Sequence, residues 1–304
     1  MRFSVEPWAP EYGAPVDAAL EEPSAAPNVD VEMPARAWRP LRPQVGVAED
    51  VLFVDGVRRV DANIWIDRPG DLPVLGVCAT YAAGAVRCCQ GTATIEAARV
   101  ERGVFSAAPG AEDVITASAV YGVRVVSGET PEELWLGVQQ RMGELEHEVT
   151  AGLDQAELVV VDGPLTGRQR LPQAVGLVKT HRVMYLPPAL RPVLGDLGAG
   201  ERSPLFVTTT AWSRYSWYVR LPGSSGFGLA GVIRCEAPAD LSVAAAVEWA
   251  DRVTVTLPRF ASSLHKEPRA PQNLYPIGGL ERALRRRLGD QQLLYRSLRR
   301  ASGF

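Results

Sequence analysis

The chain runs a short apolar segment into Asp-Gly twice. Val51-Leu52-Phe53-Val54 leads into Asp55-Gly56, and Leu158-Val159-Val160-Val161 leads into Asp162-Gly163. Both runs are rich in β-branched residues, the pattern of a buried strand. Each ends in a carboxylate followed by the residue that most easily turns a chain. If the two strands are neighbours, two carboxylates meet at one edge of a sheet. Their mutual repulsion then calls for a shared proton or a bound cation. The repeated pattern favours a fold with adjacent buried strands and brings a metal-dependent hydrolase into view.

Composition narrows the classes that remain. Of the 304 residues, 46% are hydrophobic and 22% charged, which is ordinary for a globular protein. A net charge of −3 does not advertise nucleic-acid binding, so any such site must be local. No apolar run approaches a membrane span and the acidic N-terminus lacks a leader pattern, so the sequence reads as cytoplasmic with no membrane role. Cys78, Cys88, Cys89 and Cys235 show no Cys-x-x-Cys spacing. Adjacent Cys88 and Cys89 on a strand would face opposite ways, so they are read as reduced, mostly buried residues rather than metal ligands. Only two of the 32 basic residues are lysines, Lys179 and Lys266. A position that keeps lysine in an arginine-rich chain points to a need for a compact charge.

Residues 1–48 are rich in Pro, Ala and Glu without helical or strand period, and read as an extended or disordered arm, with Trp8 and Trp38 as candidate anchors. Residues 49–304 read as one compact domain. Residues 51–67 read as a hairpin, strand to Asp-Gly turn to strand. Val74–Thr80, Ala85–Cys89 and Val114–Val126 extend the β pattern. Thr130-Pro131-Glu132-Glu133 opens the first helix with an N-cap, a proline at N1 and a capping-box glutamate. Its buried stripe is Val138, Met142, Leu145, Val149 and Leu153. A strand then ends at Asp162 and the next, Ala174–Val178, ends at Lys179. Further strands are expected at Leu205–Thr210, Ser216–Leu221 and Leu229–Cys235, with helices at Pro188–Leu197 and Asp240–Leu257. Gly279–Gly289 and Gln291–Arg300 read as a basic helical tail. Strands first, then a helix, then mixed α/β fits a ribonuclease-H-like mixed β-sheet flanked by helices.

A phosphodiester-cleaving site that uses two divalent cations holds them about 3.5–4 Å apart, which takes more than two carboxylates. Glu144, Glu146 and Glu148 lie on the helix before Asp162. Measured from the buried stripe, Glu146 is on its flank, about 50–60° away. Glu148 is about twice as far round and Glu144 faces the opposite way. Lys179 projects from the strand after Asp162 and can meet a phosphate. Each residue also has a bland explanation: a hairpin aspartate for Asp55, a solvated helix face for the glutamates, an exposed lysine for Lys179. From Ser262 to Pro276 the chain is dense in prolines and polar donors, either a surface loop or a stiff binding segment.

These segments together resemble the NurA nuclease family. The resemblance lies in Phe53-Val54-Asp55-Gly56 with Arg58-Arg59, in Val160-Val161-Asp162-Gly163-Pro164-Leu165, in Gly176-Leu177-Val178-Lys179-Thr180, and in the block from His265 through Tyr275-Pro276 to Glu281. It implies a ribonuclease-H-like core related to Piwi domains. It also implies a Mn²⁺-dependent (or Mg²⁺-dependent) DNA nuclease with two ions, having 5′–3′ exonuclease and single-strand endonuclease activity. Such proteins form homodimers that work with a hexameric HerA-type translocase in processing DNA ends during double-strand break repair. The family's carboxylates fall on Asp55, on Asp162, and on Glu146 or Glu144, with helical phase favouring Glu146. Where the family has Asp-Gly-Ser, this chain has Asp55-Gly56-Val57 and Asp162-Gly163-Pro164. The family's histidine after Tyr-Pro is missing, leaving His265 or Glu281 for the fourth ligand. Lys179, Lys266 and Arg269 are the expected phosphate contacts, with Arg58, Arg59, Gln272 and Asn273 also on DNA. Arg285, Arg286, Arg287, Arg296, Arg299 and Arg300 of the tail are expected to grip DNA or a partner, or simply to form a solvated face. A non-catalytic adaptor that binds DNA or a translocase is the competing class, and a phosphoesterase on small substrates a third.

Overall fold

The structure is a computed structural model describing residues 26–168, 171–181, 183–209, 212–224 and 228–303. Trp8 lies outside the described residues. Among the described residues, five α-helices and ten strands follow one another along the chain: β1 (Asp50–Ile66), β2 (Val74–Cys89), β3 (Thr92–Ser106), β4 (Val114–Ile115), β5 (Val120–Val125), α1 (Pro131–Thr150), β6 (Leu158–Asp162), β7 (Ala174–Val178), α2 (Pro192–Asp196), β8 (Phe206–Thr209), β9 (Ser213–Arg220), β10 (Val232–Pro238), α3 (Val243–Thr256), α4 (Tyr275–Arg287) and α5 (Gln291–Ala301). The strands follow the order β4-β5-β3-β2-β1-β6-β7-β10-β9-β8. Pairs β3/β5 and β6/β7 are parallel, whereas β4/β5, β7/β10, β10/β9 and β9/β8 are antiparallel. The fold is therefore mixed α/β, a large mixed sheet flanked by helices, as the element order predicts.

The chain divides into two compact units that it enters more than once. Residues 26–53, Arg87–Ala93 and Gln155–Gly278 belong to one, and Val54–Val86, Thr94–Asp154 and Gly279 onward to the other. Strand β1 passes from the first to the second between Phe53 and Val54.

In the second unit, β2 is buried on both faces. Val77, Ala79, Tyr81 and Ala83 pack with Phe105 on Leu134, Val138, Met142 and Leu145 of α1. On the alternate positions, Cys78 packs with Val104, Tyr121 and Leu298, and Gly84 lies against Leu280 and Leu284 of α4. Burial on both sides replaces polar/apolar alternation with a continuous apolar strand. Helix α1 begins as its sequence dictates: Thr130 caps the Glu133 N–H at 3.3 Å, and the Glu133 carboxylate accepts from the Thr130 N–H at 3.0 Å. At the far side, the Arg59 guanidinium bonds Asp61 at 2.8 Å and the carbonyl of Gly289 at 2.9 Å, tying β1 to the C-terminal helices.

In the first unit, residues 26–48 run largely extended and are pinned rather than loose. Trp38 packs on Phe206 and donates its indole N–H to the Val29 carbonyl at 3.0 Å. Arg202 grips Glu32 with two 2.8 Å bonds. Of the four cysteines, Cys78, Cys88 and Cys235 are buried and none forms a disulfide. Burial pushes the Cys88 thiol up to about 11, so it is protonated at neutral pH. Among the described residues, no helix is long and apolar enough to cross a membrane.

Two expectations about the first strands are corrected. Asp55-Gly56 is not a hairpin turn, because β1 runs unbroken from Asp50 to Ile66 through both residues. The hairpin lies one strand later, where Gln90 and Gly91 sit at φ 51° and 75°, the left-handed pair of a two-residue turn between β2 and β3. Strand β3 occupies a stretch for which the sequence predicts no strand. Its Glu, Arg and Ala content carries no strand pattern, and cross-strand pairing overrides that weak local preference. The expected strand 114–126 is likewise two strands, β4 and β5, separated by a short turn.

Gly56 is required by space, not by a turn. A Cβ there would stand 2.6 Å from Glu146 Oε1, 2.8 Å from Met142 Cγ and 2.9 Å from Met142 Sδ. Helix α1 closes on β1 only because this side chain is missing. Gly56→Ala is expected to destabilise the protein by about 1–3 kcal/mol through overpacking. Urea unfolding checks this, and an unchanged midpoint would show that α1 does not depend on the gap.

Candidate functional site

The second unit buries Asp55, Asp61, Glu146 and Glu281, and Asp55 and Glu146 both lie beside Gly56. Asp55 is 7% exposed and Glu146 only 1%. Asp55 Oδ1 accepts the Gly56 N–H at 2.7 Å, and Glu146 seats its Oε1 against the same residue from α1. Two carboxylates thus flank one glycine, the first along the strand and the second through the helix. Taking a carboxylate out of water is costly, and sites of chemistry are where proteins commonly bear that cost. Helical phase accounts for which glutamate goes inside. Glu144 and Glu148 stay toward solvent and bond Arg141 at 3.2 and 2.6 Å. Arg58 braces the same helix, its guanidinium 4.7 Å from the Trp135 ring centre and 3.9 Å from Met142 Sδ. Arg59 is held by Asp61 and the carbonyls beyond α4. Glu281, within α4, is largely buried and bonds Arg285 at 2.8 Å. The tail arginines Arg285, Arg286, Arg287, Arg296, Arg299 and Arg300 are all exposed.

The first unit holds the other strand end. Asp162 closes β6 opposite Leu177 of β7. Gly163 follows at φ 93°, so the chain turns away immediately, as the sequence predicts for this pair. The buried Lys179 ammonium lies 2.7 Å from Asp162 Oδ1 and 2.7 Å from Asn273 Oδ1. Gln272 and Asn273 are buried, whereas His265 and Lys266 are exposed. Lys266 sits 5.8 Å from the Tyr275 ring centre, and Arg269 bonds Glu267 at 3.0 Å.

One buried cluster is not foreseen from the sequence. Glu236 of β10 takes Arg214 of β9 at 2.9 Å and Arg234 at 2.5 Å on Oε1. Its Oε2 accepts the Leu165 N–H at 3.1 Å, which fixes the loop after Asp162-Gly163-Pro164. The available signal is Arg234-Cys235-Glu236, charges two apart on an otherwise apolar strand and so on one face. Nearby, His181 Nε2 bonds the Val232 carbonyl at 2.8 Å. Burial pushes this imidazole down to about 4; the Arg234 charge adds to the effect and the carbonyl opposes it.

The oxygen donors fit a hard divalent cation. Among the described residues, no three His, Cys, Asp or Glu side chains are gathered into a self-sufficient metal centre. Mg²⁺-type sites need no such cage, because the ion keeps several waters and is held by one or two carboxylates plus substrate phosphate. The Asp55 and Glu146 carboxylates are oxygen donors of the kind such a site uses.

No family model matches the chain, and neither does any curated protein. Among solved structures, the crystal structure of the NurA nuclease from Sulfolobus solfataricus is similar over 84% of this chain and 86% of that one. The identity is 10% and the TM-score 0.47. A likeness this distant carries none of the chemical argument, which rests on the residues themselves.

The depressed His181 value has a consequence for stability. An unfolded histidine titrates near 6.5. Between about 6.5 and 4 the unfolded chain binds a proton that the folded chain refuses, so stability falls as pH falls through that window. His181→Gln is expected to flatten the acid side of a stability-against-pH curve, by up to about 1.4 kcal/mol per pH unit. Thermal unfolding between pH 4 and pH 7 measures it, and identical slopes in both proteins contradict the assignment.

Proposed function

We propose that this chain is a metal-dependent nuclease that hydrolyses phosphodiester bonds in DNA. The observation that carries the reading is the buried Glu146 carboxylate, which meets the same glycine as Asp55 in a gap that only glycine at position 56 allows. A fold gains nothing in stability from sinking an acid that leucine could replace, so the arrangement favours a role in chemistry. Asp55 and Glu146 would hold Mn²⁺ or Mg²⁺, whose contribution is to polarise the phosphodiester and lower the pKa of water. Lys179 is assigned to phosphate charge, with its ammonium oriented by Asp162. Lys266, Arg269 and the exposed tail arginines are assigned to the DNA backbone, which they meet as point charges or bidentate forks. Through the sequence resemblance, the reading extends to two ions, a homodimer and a HerA-type translocase as partner in DNA end processing.

A second reading is favoured by a specific contact. An ammonium 2.7 Å from Asp162 supplies positive charge where a family nuclease uses a cation. That favours a non-catalytic adaptor that keeps the fold and binds DNA or the translocase.

Mn²⁺ binding and DNA cleavage, measured on the same preparations, separate the two. The nuclease reading expects Asp55→Asn and Glu146→Gln each to weaken Mn²⁺ binding and to lower cleavage on the order of 100-fold or more. Parallel His265→Ala, Glu144→Gln and Glu281→Gln variants identify any further ligand. Wild-type protein that binds DNA but neither binds Mn²⁺ nor cleaves, with the translocase present, is the adaptor. Neutralising tail arginines is expected to reduce the salt slope of DNA binding by about 0.7–0.9 for each phosphate that is no longer neutralised.

A further inference from the structure

A cavity beside the last helix gathers cationic and hydroxyl groups away from the acidic side chains of the candidate site. Helix α5 buries Leu294 and Leu298, and Leu298 packs with Cys78, Val104 and Tyr121 of the sheet. The start of the helix is fixed by the Asp290 carboxylate, which accepts the Leu293 N–H at 2.7 Å. Next to the buried face, Leu293, Arg296, Ser297 and Arg300 fall within an arc of about 100°. With Ile115 and the turn after β4, these four line a cavity of about 420 Å³. The opposite wall is preformed. Thr116 donates its hydroxyl to the Ala119 carbonyl at 2.8 Å and accepts the Ala119 N–H at 2.9 Å, which holds the turn between β4 and β5. All of these residues belong to the second unit.

We propose that this cavity binds a phosphomonoester carried on a nucleoside, either a free mononucleotide or the 5′-phosphorylated end of a DNA strand. The pocket stands on its own residues; the strand end as its source rests on the nuclease reading. Arg296 and Arg300 lie one turn apart on one face, where like charges weaken a helix. Among the described residues, neither bonds a carboxylate. The helix dipole favours cations near a C-terminal end, which accounts for basic residues there but not for what lies between these two. That is the Ser297 side chain, 7% exposed, whose hydroxyl has no hydrogen-bond partner among the described residues. The buried helix hydroxyls of Thr150, Thr254 and Thr256 each bond the carbonyl four residues back. Ser297 does not, and its hydroxyl stays free for a ligand oxygen in the cavity it lines. Two guanidiniums match the double charge that a phosphomonoester approaches at neutral pH, and their planar forks suit its oxygens. An internal phosphodiester carries only one charge. The volume calls for more than a bare ion. A cavity of about 420 Å³ lies within the range of small-molecule pockets, roughly 300–1,000 Å³, and a lone phosphate would leave most of it unfilled. Ile115 and Leu293, 71% and 50% exposed, supply the apolar walls on which a base can lie.

Isothermal titration with deoxyadenosine 5′-monophosphate tests the site, run in EDTA so that no metal centre competes for phosphate. The wild type is expected to bind this nucleotide, to bind inorganic phosphate more weakly, and not to bind unphosphorylated deoxyadenosine. Arg296→Gln and Arg300→Gln are each expected to weaken binding about tenfold. Arg36→Gln, the same change of charge at an exposed position of the first unit, is expected to leave it unchanged. Ser297→Ala is expected to weaken binding severalfold without lowering the thermal midpoint of the free protein, because an unpaired buried hydroxyl adds nothing to the fold. Competition then identifies the source. Displacement of the mononucleotide by a 5′-phosphorylated oligonucleotide, but not by its 5′-hydroxyl twin, assigns the strand end; displacement by neither assigns the free nucleotide. Displacement by both shows that internal phosphates suffice and overturns the proposal, as does an absence of binding or binding that survives both arginine substitutions. A protein that binds through these residues but never cleaves DNA upholds the pocket and rejects the nuclease reading, whereas one that cleaves without binding rejects the pocket alone.

Discussion

Helix α1 rests on a glycine, and much of the second unit's chemistry follows from that contact. With no side chain at position 56, Met142 and Glu146 reach the backbone of β1. The apolar stripe of the helix then packs on alternate residues of β2. The same approach carries a carboxylate to a depth where carboxylates are rarely found. One missing methyl group thus lets the helix dock and brings Glu146 to the residue beside Asp55.

The two Asp-Gly pairs, identical as dipeptides, are different structures. In the first, glycine lies within a continuous strand and makes room for a helix. In the second, glycine takes φ 93° and ends the strand. A dipeptide encodes both uses because glycine lacks a Cβ, and that absence relaxes both backbone torsion and packing space. Which of the two applies at Gly56 depends on Met142 and Glu146, far downstream on α1, and this is why residues 51–67 are not the hairpin their local pattern suggests. Local rules succeed where the cause is local. Thr130-Pro131-Glu132-Glu133 caps α1 as written, and helical phase alone puts Glu146, not Glu144 or Glu148, against the sheet. They fail on β3, whose charged residues carry no strand period of their own.

The candidate site is legible in the same uneven way. Residue scarcity points to Lys179 without revealing what holds it. The amides of Gln272 and Asn273 look like surface donors because a proline-rich stretch usually lies on the surface, and nothing nearby in sequence shows that they turn inward. Glu236 stays hidden because a charge in a buried strand is interpretable only when its partners, Arg214 and Arg234, are known to lie with it on the sheet. Long-range electrostatic pairing is the part of a site that a single sequence conceals best.

The buried acids of the two units are held in more than one way. In the first, Asp162 and Glu236 stand apart from one another in role, each set by fixed cations: Asp162 by Lys179, Glu236 by two guanidiniums. Such charge-assisted hydrogen bonds gain orientation at the cost of adaptability. In the second, Asp61 is held by Arg59, Asp55 bonds the Gly56 N–H, and Glu146 packs against Gly56 from helix α1. The proposed nuclease assigns cation binding to Asp55 and Glu146, while Asp162 is an ion-pair partner of the Lys179 ammonium.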